Sequence, residues 1–577
     1  MAQGWLQIAI FLVVVVVLTP PLGIYMARVY RNERVFLTPV LAPVERLTYR
    51  AIGVDPAREQ DWKGYARTLI VFSGLFFLAL YLILRTQSIQ PLNPQGFNSA
   101  PWDVSFNTTS SFITNTNWQY YGGETTLSDF SQMAGLTVQN FVSAAVGMAV
   151  VAALIRGILN RTSKSLGNFW QDTVRTLFYI LLPLTVVVAV LLVAGGVLQT
   201  VAHAITAKTV LGADQLLAVG PVASQVAIKQ LGTNGGGFFN VNSAMPFENA
   251  SAFTNFVELL AIILIPAALT YTFGRMVGRQ RQGWAIFAAM LALFLVLIVV
   301  VVPAEQHGTV AQHMAGLHNG GNLEGKEVRN GIAQSGLWTA TTTSTSNGSV
   351  NSALDSYTGL GGAVPMAALG TSEVIFGGVG TGLYSMLVFV LLAVFIGGLM
   401  VGRTPEYLGK KLEAREVKLA SLAALFTPLT VLVTTGLAIA TKFGKPSIYA
   451  SGPQGFSETL YAYLSQANNN GSAFAGYTGF VQPNAPGNGG SFGISFADVL
   501  GGGTMVVARF VPILLVLAIA GALAGKKVAP VGPGTMRTDN PTFVVLLVGV
   551  VVLVGALTFF PALLLGPIVQ SLSTQLF

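Results

Sequence analysis

Gly232-Thr233-Asn234-Gly235-Gly236-Gly237-Phe238-Phe239-Asn240 lies between two long apolar runs. Three successive glycines make a poor helix or strand interior, because each surrenders more backbone freedom than any other residue. Irregular backbone at membrane depth persists only where it is buried in protein or lines a water-filled cavity. A glycine- and amide-rich break here predicts main-chain carbonyls turned toward such a path.

The rest of the chain puts this break inside a membrane. Of 577 residues, 52% are hydrophobic and 9% charged, whereas soluble domains carry about 25% charge. Cysteine is absent, which excludes disulfides, thiol chemistry and Cys-ligated zinc. Ten apolar runs are long enough to cross a bilayer: about Trp5–Ala27, Thr68–Leu84, Met133–Ile155, Val174–Gln199, Phe256–Phe273, Trp284–Val302, Glu373–Val401, Leu419–Ala440, Phe496–Leu523 and Phe543–Leu565. The fold class is an all-α polytopic membrane protein with ten transmembrane helices.

Within that frame one unit recurs four times: a span, a short helix, a polar break, a span. The short helices are read at Trp102–Phe112, Pro221–Gln230, Ser335–Thr345 and Ser457–Ala467. Aligning the breaks on Asn115, Asn234, Asn347 and Asn470 gives intervals of 119, 113 and 123 residues. A near-constant period marks internal repeats. The division is then 1–67 for the N-terminal span and its basic loop, 68–171, 172–282, 283–415 and 416–537 for the four pore repeats, and 538–577 for the C-terminal span.

Charge orients the repeats. No basic residue precedes the first apolar run, and Arg28, Arg31 and Arg34 follow it, the reverse of a cleaved signal peptide. The loops assigned to the inside (28–67, 156–175, 275–281, 403–418 and 526–537) hold 23 of the 31 Lys and Arg residues. The positive-inside rule therefore places the N-terminus and all four breaks outside, and the net charge of +8 calls for no nucleic acid.

Four re-entrant loops entering from one side can close into a ring. A dehydrated monovalent cation needs several oxygen ligands, and rings of main-chain carbonyls from four loops supply them in potassium-selective pores. Glycine lets the backbone turn its carbonyls inward, Asn, Thr and Ser brace the loop, and the C-terminal ends of the short helices add negative potential. A lone Asn-Gly is an ordinary turn pair. Four breaks in register with the spans favour a filter.

With these residues in view, Gly232 to Asn240 and Thr114-Asn115-Thr116-Asn117-Trp118-Gln119 resemble the potassium-binding subunit (KdpA type) of the bacterial Kdp pump, over essentially the whole chain. The resemblance implies a pseudo-fourfold filter of the potassium-transporter superfamily in the bacterial cytoplasmic (inner) membrane. It implies K⁺ as the transported ion with no organic cofactor. It also implies a separate P-type ATPase subunit that receives the ion and hydrolyses ATP, small accessory membrane subunits, and contact with membrane lipid. Carried over by motif, the filter is Thr114, Asn115 and Thr116; Thr233, Asn234 and Gly235; Ser346, Asn347 and Gly348; Asn469, Asn470 and Gly471. In this register Thr116 stands where the other repeats have glycine.

Gly377, Gly378, Gly380 and Gly382 interrupt the apolar run Glu373–Val401. Small residues at this spacing suit tight helix packing, and the resemblance favours an unwound segment that obstructs the pore below the filter. Arg509 sits within the span Phe496–Leu523. A charge there needs a cavity or a carboxylate, with Glu373 and Asp498 as candidates. Gly397 to Thr404 has phosphate-loop spacing but ends a span and carries Arg403 for the lysine. His307, His313 and His318 fall in a polar outer loop, at a spacing that favours solvation over metal binding. No Asp-Lys-Thr-Gly occurs, so the chain lacks a P-type phosphorylation site and is read as non-catalytic. A stand-alone channel or symporter of the superfamily is the nearer alternative. A secondary transporter of organic solutes is more distant, since such folds use inverted repeats.

Overall fold

The computed structural model describes residues 2–317, 319–477, 479, 492–530 and 535–572. Its helices of ten residues or more, in chain order, are α1 (Ala2–Tyr30), α2 (Thr38–Ala51), α3 (Trp62–Arg85), α4 (Trp102–Ile113), α5 (Ser131–Leu159), α6 (Phe169–Ala194), α7 (Val222–Leu231), α8 (Ala252–Met276), α9 (Gln280–His307), α10 (Gly331–Ser344), α11 (Gly359–Gly370), α12 (Thr381–Met400), α13 (Ala414–Ala440), α14 (Gly452–Ala467), α15 (Phe492–Ala524) and α16 (Pro541–Leu563). Ten of them are long and apolar enough to cross a membrane, as the apolar runs predict. Among the described residues, strands are confined to two short antiparallel hairpins, Ile205–Lys208 with Asp214–Leu217 and Glu406–Tyr407 with Lys410–Lys411.

Burial separates inner spans from outer ones. In the most apolar stretch of α5, 89% of residues are buried, against 28% in α3, which precedes it in the same repeat. The other second spans, α8, α12 and α15, reach 67%, 72% and 50%. These four surround the axis, while α3, α6 and α13 turn Leu75, Val186 and Leu425 outward; α9, the first span of the third repeat, is 61% buried because α11 and α16 lie against it. Exposed leucine and valine on a span are what an apolar solvent permits. The additional spans cover this bundle: α1 lies along α8, and α16 along α9 and α12.

The third repeat departs from the sequence expectation. Its second span was expected from Glu373 to Val401, but the helix starts at Thr381 and the shorter α11 precedes it. The ten residues between are not helical. Ser372, Glu373, Phe376, Gly377 and Gly380 all have positive φ there, which a right-handed helix cannot contain. His307 and His313 pack edge-on, 5.0 Å between ring centroids, with His313 Nε2 2.8 Å from the His307 carbonyl. His318 lies outside the described residues.

Candidate ion-binding site

The four short helices α4, α7, α10 and α14 each end in a capping residue, Thr114, Gly232, Thr345 and Asn468 respectively. The next residue adopts positive φ, and so does the second after that: Asn115 and Asn117, Thr233 and Gly235, Ser346 and Gly348, Asn469 and Gly471. One hydrogen bond repeats in all four loops. The amides of Thr116, Asn234, Asn347 and Asn470 donate to the carbonyls of Ser111, Lys229, Thr342 and Ser465, at 2.9, 2.8, 2.9 and 2.8 Å. Each donor stands five residues after its acceptor.

This backbone register differs by one residue from the asparagine alignment in the first repeat. Thr116, not Asn115, is the counterpart of Asn234, Asn347 and Asn470. Asn117, not Thr116, occupies the place of Gly235, Gly348 and Gly471, and Thr114 is the helix cap. Asn fits because it tolerates the left-handed region better than other residues with a Cβ. Asn117 is held by its amide, 2.6 Å from Asn140 Oδ1.

The loops close on one another. A Cβ at Gly235 would collide with the carbonyl oxygen of Asn347, one at Gly348 with that of Asn470, and one at Gly471 with that of Thr116. Between the first and second loops, Asn115 Nδ2 donates to the Thr233 carbonyl at 2.9 Å, and Asn234 Nδ2 to Asn115 Oδ1 at 2.6 Å. Asn347 and Asn470 reach the helix of the preceding loop, at Lys229 O (3.0 Å) and Thr342 O (2.9 Å). Asn469 Nδ2 donates to Thr116 Oγ1 at 2.8 Å, joining the fourth loop to the first. All twelve residues named from the motif are brought to this ring, the nine of the second, third and fourth repeats in the expected order and the three of the first displaced by one position. Gly236 and Gly237, on the same glycine run, lie against Asn117 and Lys229.

Behind the second loop, Lys229 pairs with Glu248, both side chains fully buried. The sequence signal was an isolated lysine in a short helix at membrane depth, where a charge requires a partner. Gln230 Nε2 and Ser243 Oγ donate to Glu258 at 2.8 and 2.6 Å, extending this polar shell.

Directly beneath the ring runs 371–380. Gly377 N donates to the Ser344 carbonyl at the end of α10 (3.0 Å), and Val379 N to Thr233 Oγ1 in the second loop (2.9 Å). Gly380 abuts the Gly147 carbonyl in α5, and Thr381 Oγ1 accepts from Arg509 Nη1 in α15 at 2.7 Å. Phe376 is clamped between Phe287 and Phe294 of α9. Together with Thr381, which follows it, the segment touches all four repeats. Gly378 completes it, its amide 3.4 Å from Glu373 Oε2, and Gly382 packs on Phe376 O. Gly147 was not anticipated. Its only mark in the sequence is the small-residue run Ala144-Ala145-Val146-Gly147.

Arg509 is buried and shares a cavity with Glu373, Thr381, Asn468 and Asn469, below the fourth loop. Asp498, the other candidate partner, stands eleven residues earlier on the same helix, about 16 Å along its axis. It cannot pair with Arg509.

Residues 9–572 match the family model for the potassium-transporting ATPase A subunit, KdpA. The chain belongs to the KdpA family. Its KdpA relatives include proteins of Sorangium cellulosum (54% identical, 99% of both chains), Granulibacter bethesdensis (53%, 99% of this chain and 98% of the relative) and Methylobacterium nodulans (54%, same shares), each named potassium-transporting ATPase potassium-binding subunit. The KdpA fold is also similar to the crystal structure of the potassium transporter TrkH from Vibrio parahaemolyticus, with a TM-score of 0.52 at 16% identity, over 80% of this chain and 85% of that one.

Proposed function

We propose that this chain takes K⁺ from the outer side at the four-loop ring and passes it within the membrane to a P-type partner subunit that hydrolyses ATP. The observation that carries this reading is the ring, with its repeated hydrogen bond and its alternate left-handed residues. Such alternation turns successive carbonyls to one side, and an ion stripped of water needs oxygens so arranged. The relatives' name, potassium-binding subunit of a transporting ATPase, supports both the ion and the partner.

In this reading the filter backbone is Asn115-Thr116-Asn117, Thr233-Asn234-Gly235, Ser346-Asn347-Gly348 and Asn469-Asn470-Gly471, with Thr114 capping the first short helix. Gly377, Gly378, Gly380 and Gly382 belong to an obstruction that closes the straight path. An ion leaving the filter then turns aside, toward the cavity of Glu373 and Arg509. Arg509 there sets how readily the ion leaves the filter. The N-terminus lies outside the inner membrane, and accessory subunits and lipid complete the complex.

The test is a tagged pull-down from cells grown in low potassium. It recovers a P-type ATPase whose hydrolysis is stimulated by K⁺ over Na⁺. Full potassium uptake by the isolated chain, without a hydrolysing partner, would overturn the reading.

A further inference from the structure

Helix α2 has two faces with different obligations. One is fastened to the bundle: Glu45 accepts from Arg175 Nε and Tyr179 Oη, both at 2.8 Å, and from Tyr49 Oη at 3.0 Å. The other face is free and apolar. Phe36, Val40, Val44 and Leu47 are 77%, 70%, 46% and 66% exposed. Val40, Val44 and Leu47, four and three residues apart, draw a single stripe along the helix, and Phe36 is exposed just before its first turn. Arg46 and Arg50, one turn apart and both exposed, flank it and line a shallow recess with Gly53, Val54 and Asp55.

The position of the stripe identifies its surroundings. Phe36 packs on Tyr25 near the end of α1, ring centroids 5.6 Å apart, and Tyr25 Oη bonds the Tyr179 carbonyl of α6. Both spans turn apolar residues outward from there, Val13 and Val17 on α1, Val186 and Val190 on α6. The stripe therefore continues the lipid-facing surface around the end of the bundle. That end is the basic one: Arg28 and Arg31 precede α2, and Arg31 Nη2 lies 3.3 Å from the Met276 carbonyl that ends α8. An apolar stripe edged by arginine fits the boundary between acyl chains and anionic headgroups.

We propose that α2 lies in the plane of the membrane surface, with Phe36, Val40, Val44 and Leu47 among acyl chains and Arg46 and Arg50 on the phosphates of anionic phospholipid. This assignment is independent of the ion path. The chain has no cysteine, so Val40→Cys, Leu47→Cys and Ala57→Cys each place a single spin label on it. The variants are measured as the full chain and as the assembled complex, in phosphatidylcholine vesicles with and without phosphatidylglycerol. The complex built on the cysteine-free chain supplies the background.

Labels at 40 and 47 collide with oxygen at least about threefold more than with an aqueous nickel chelate, relative to the label at 57. Phosphatidylglycerol widens that contrast, and R46Q/R50Q abolishes the widening while leaving potassium-stimulated hydrolysis in phosphatidylcholine unchanged. Stripe labels reached freely by the nickel chelate would overturn the proposal. So would labels sealed from both reagents in the complex, which would assign the face to a protein partner. Indifference to phosphatidylglycerol would refute the anionic-headgroup contact.

Discussion

Three glycines of the ring, Gly235, Gly348 and Gly471, are required twice over. Each has positive φ, and each leaves no room for a Cβ beside the next loop's carbonyl. Gly235→Val adds a β-branched side chain where a left-handed residue with a Cβ costs roughly 1–2 kcal/mol even without crowding. The expected outcome is a complex that still assembles, with K⁺ stimulation of hydrolysis weakened by about tenfold or more in half-saturating concentration. Unchanged affinity would remove this loop from the filter. The first loop tests the register. Asn117→Gly is expected to keep the half-saturating K⁺ within about twofold, since it relaxes φ and loses only the bond to Asn140. Asn117→Val is expected to behave like Gly235→Val. Equal tolerance of both would return Thr116 to the glycine position. The run Thr114-Asn115-Thr116-Asn117 shows why the sequence alone left this open: two Asn and two Thr alternate, so side-chain identity fits either register. The bond from Thr116 N to Ser111 O and the positive φ of Asn115 and Asn117 select one.

At the scale of elements, the segment 371–380 is held by groups that the sequence scatters over the whole chain. Its glycines were visible as an interruption, but the unwinding depends on Gly147, Thr233, Ser344, Phe287 and Phe294, none of them its neighbours in sequence. This is why the short helices were legible to within a few residues while the start of α12 was misplaced by eight. A propensity is local, and a break stabilised by contacts from four repeats is not. Gly147→Ala tests the contact. The added methyl would lie 2.5 Å from Val379 O and 3.2 Å from Arg509 Nη2. Overpacking of this kind costs about 1–3 kcal/mol. The segment shifts to relieve it, so rubidium leak through vesicles without ATP rises over wild type, while K⁺ over Na⁺ selectivity of stimulated hydrolysis is retained. A tight, fully coupled Gly147→Ala complex would show that the segment does not obstruct the path.

For the molecule as a whole, the ten spans could be read from length and hydropathy because lipid imposes one period and one length on all of them. Which spans are inner and what locks them together could not, since α5 and α3 are equally apolar and differ only in their neighbours. One lock is Lys410, on the hairpin between α12 and α13. In the sequence it belongs to a basic loop. In the structure it is buried, and its ammonium donates to Gly157 O (3.0 Å) and Asn160 O at the end of α5, and to Leu523 O (2.6 Å) at the end of α15. One side chain of the third repeat thus satisfies the closing carbonyls of helices from the first and fourth, where a cation is favoured by both helix dipoles. Lys410→Met keeps the length of the side chain and removes every donor. Each stranded carbonyl costs about 1–3 kcal/mol, and water entering the site recovers part of that. The expected result is a lower thermal midpoint for the detergent-solubilised complex, with the half-saturating K⁺ unchanged, because the ring meets α5 at Asn140 and Ser143 and α15 at Met505, about 20 Å or more along those helices from Lys410. A shift in K⁺ affinity without loss of thermal stability would mean that this end of the bundle governs the ring instead of merely holding its helices together.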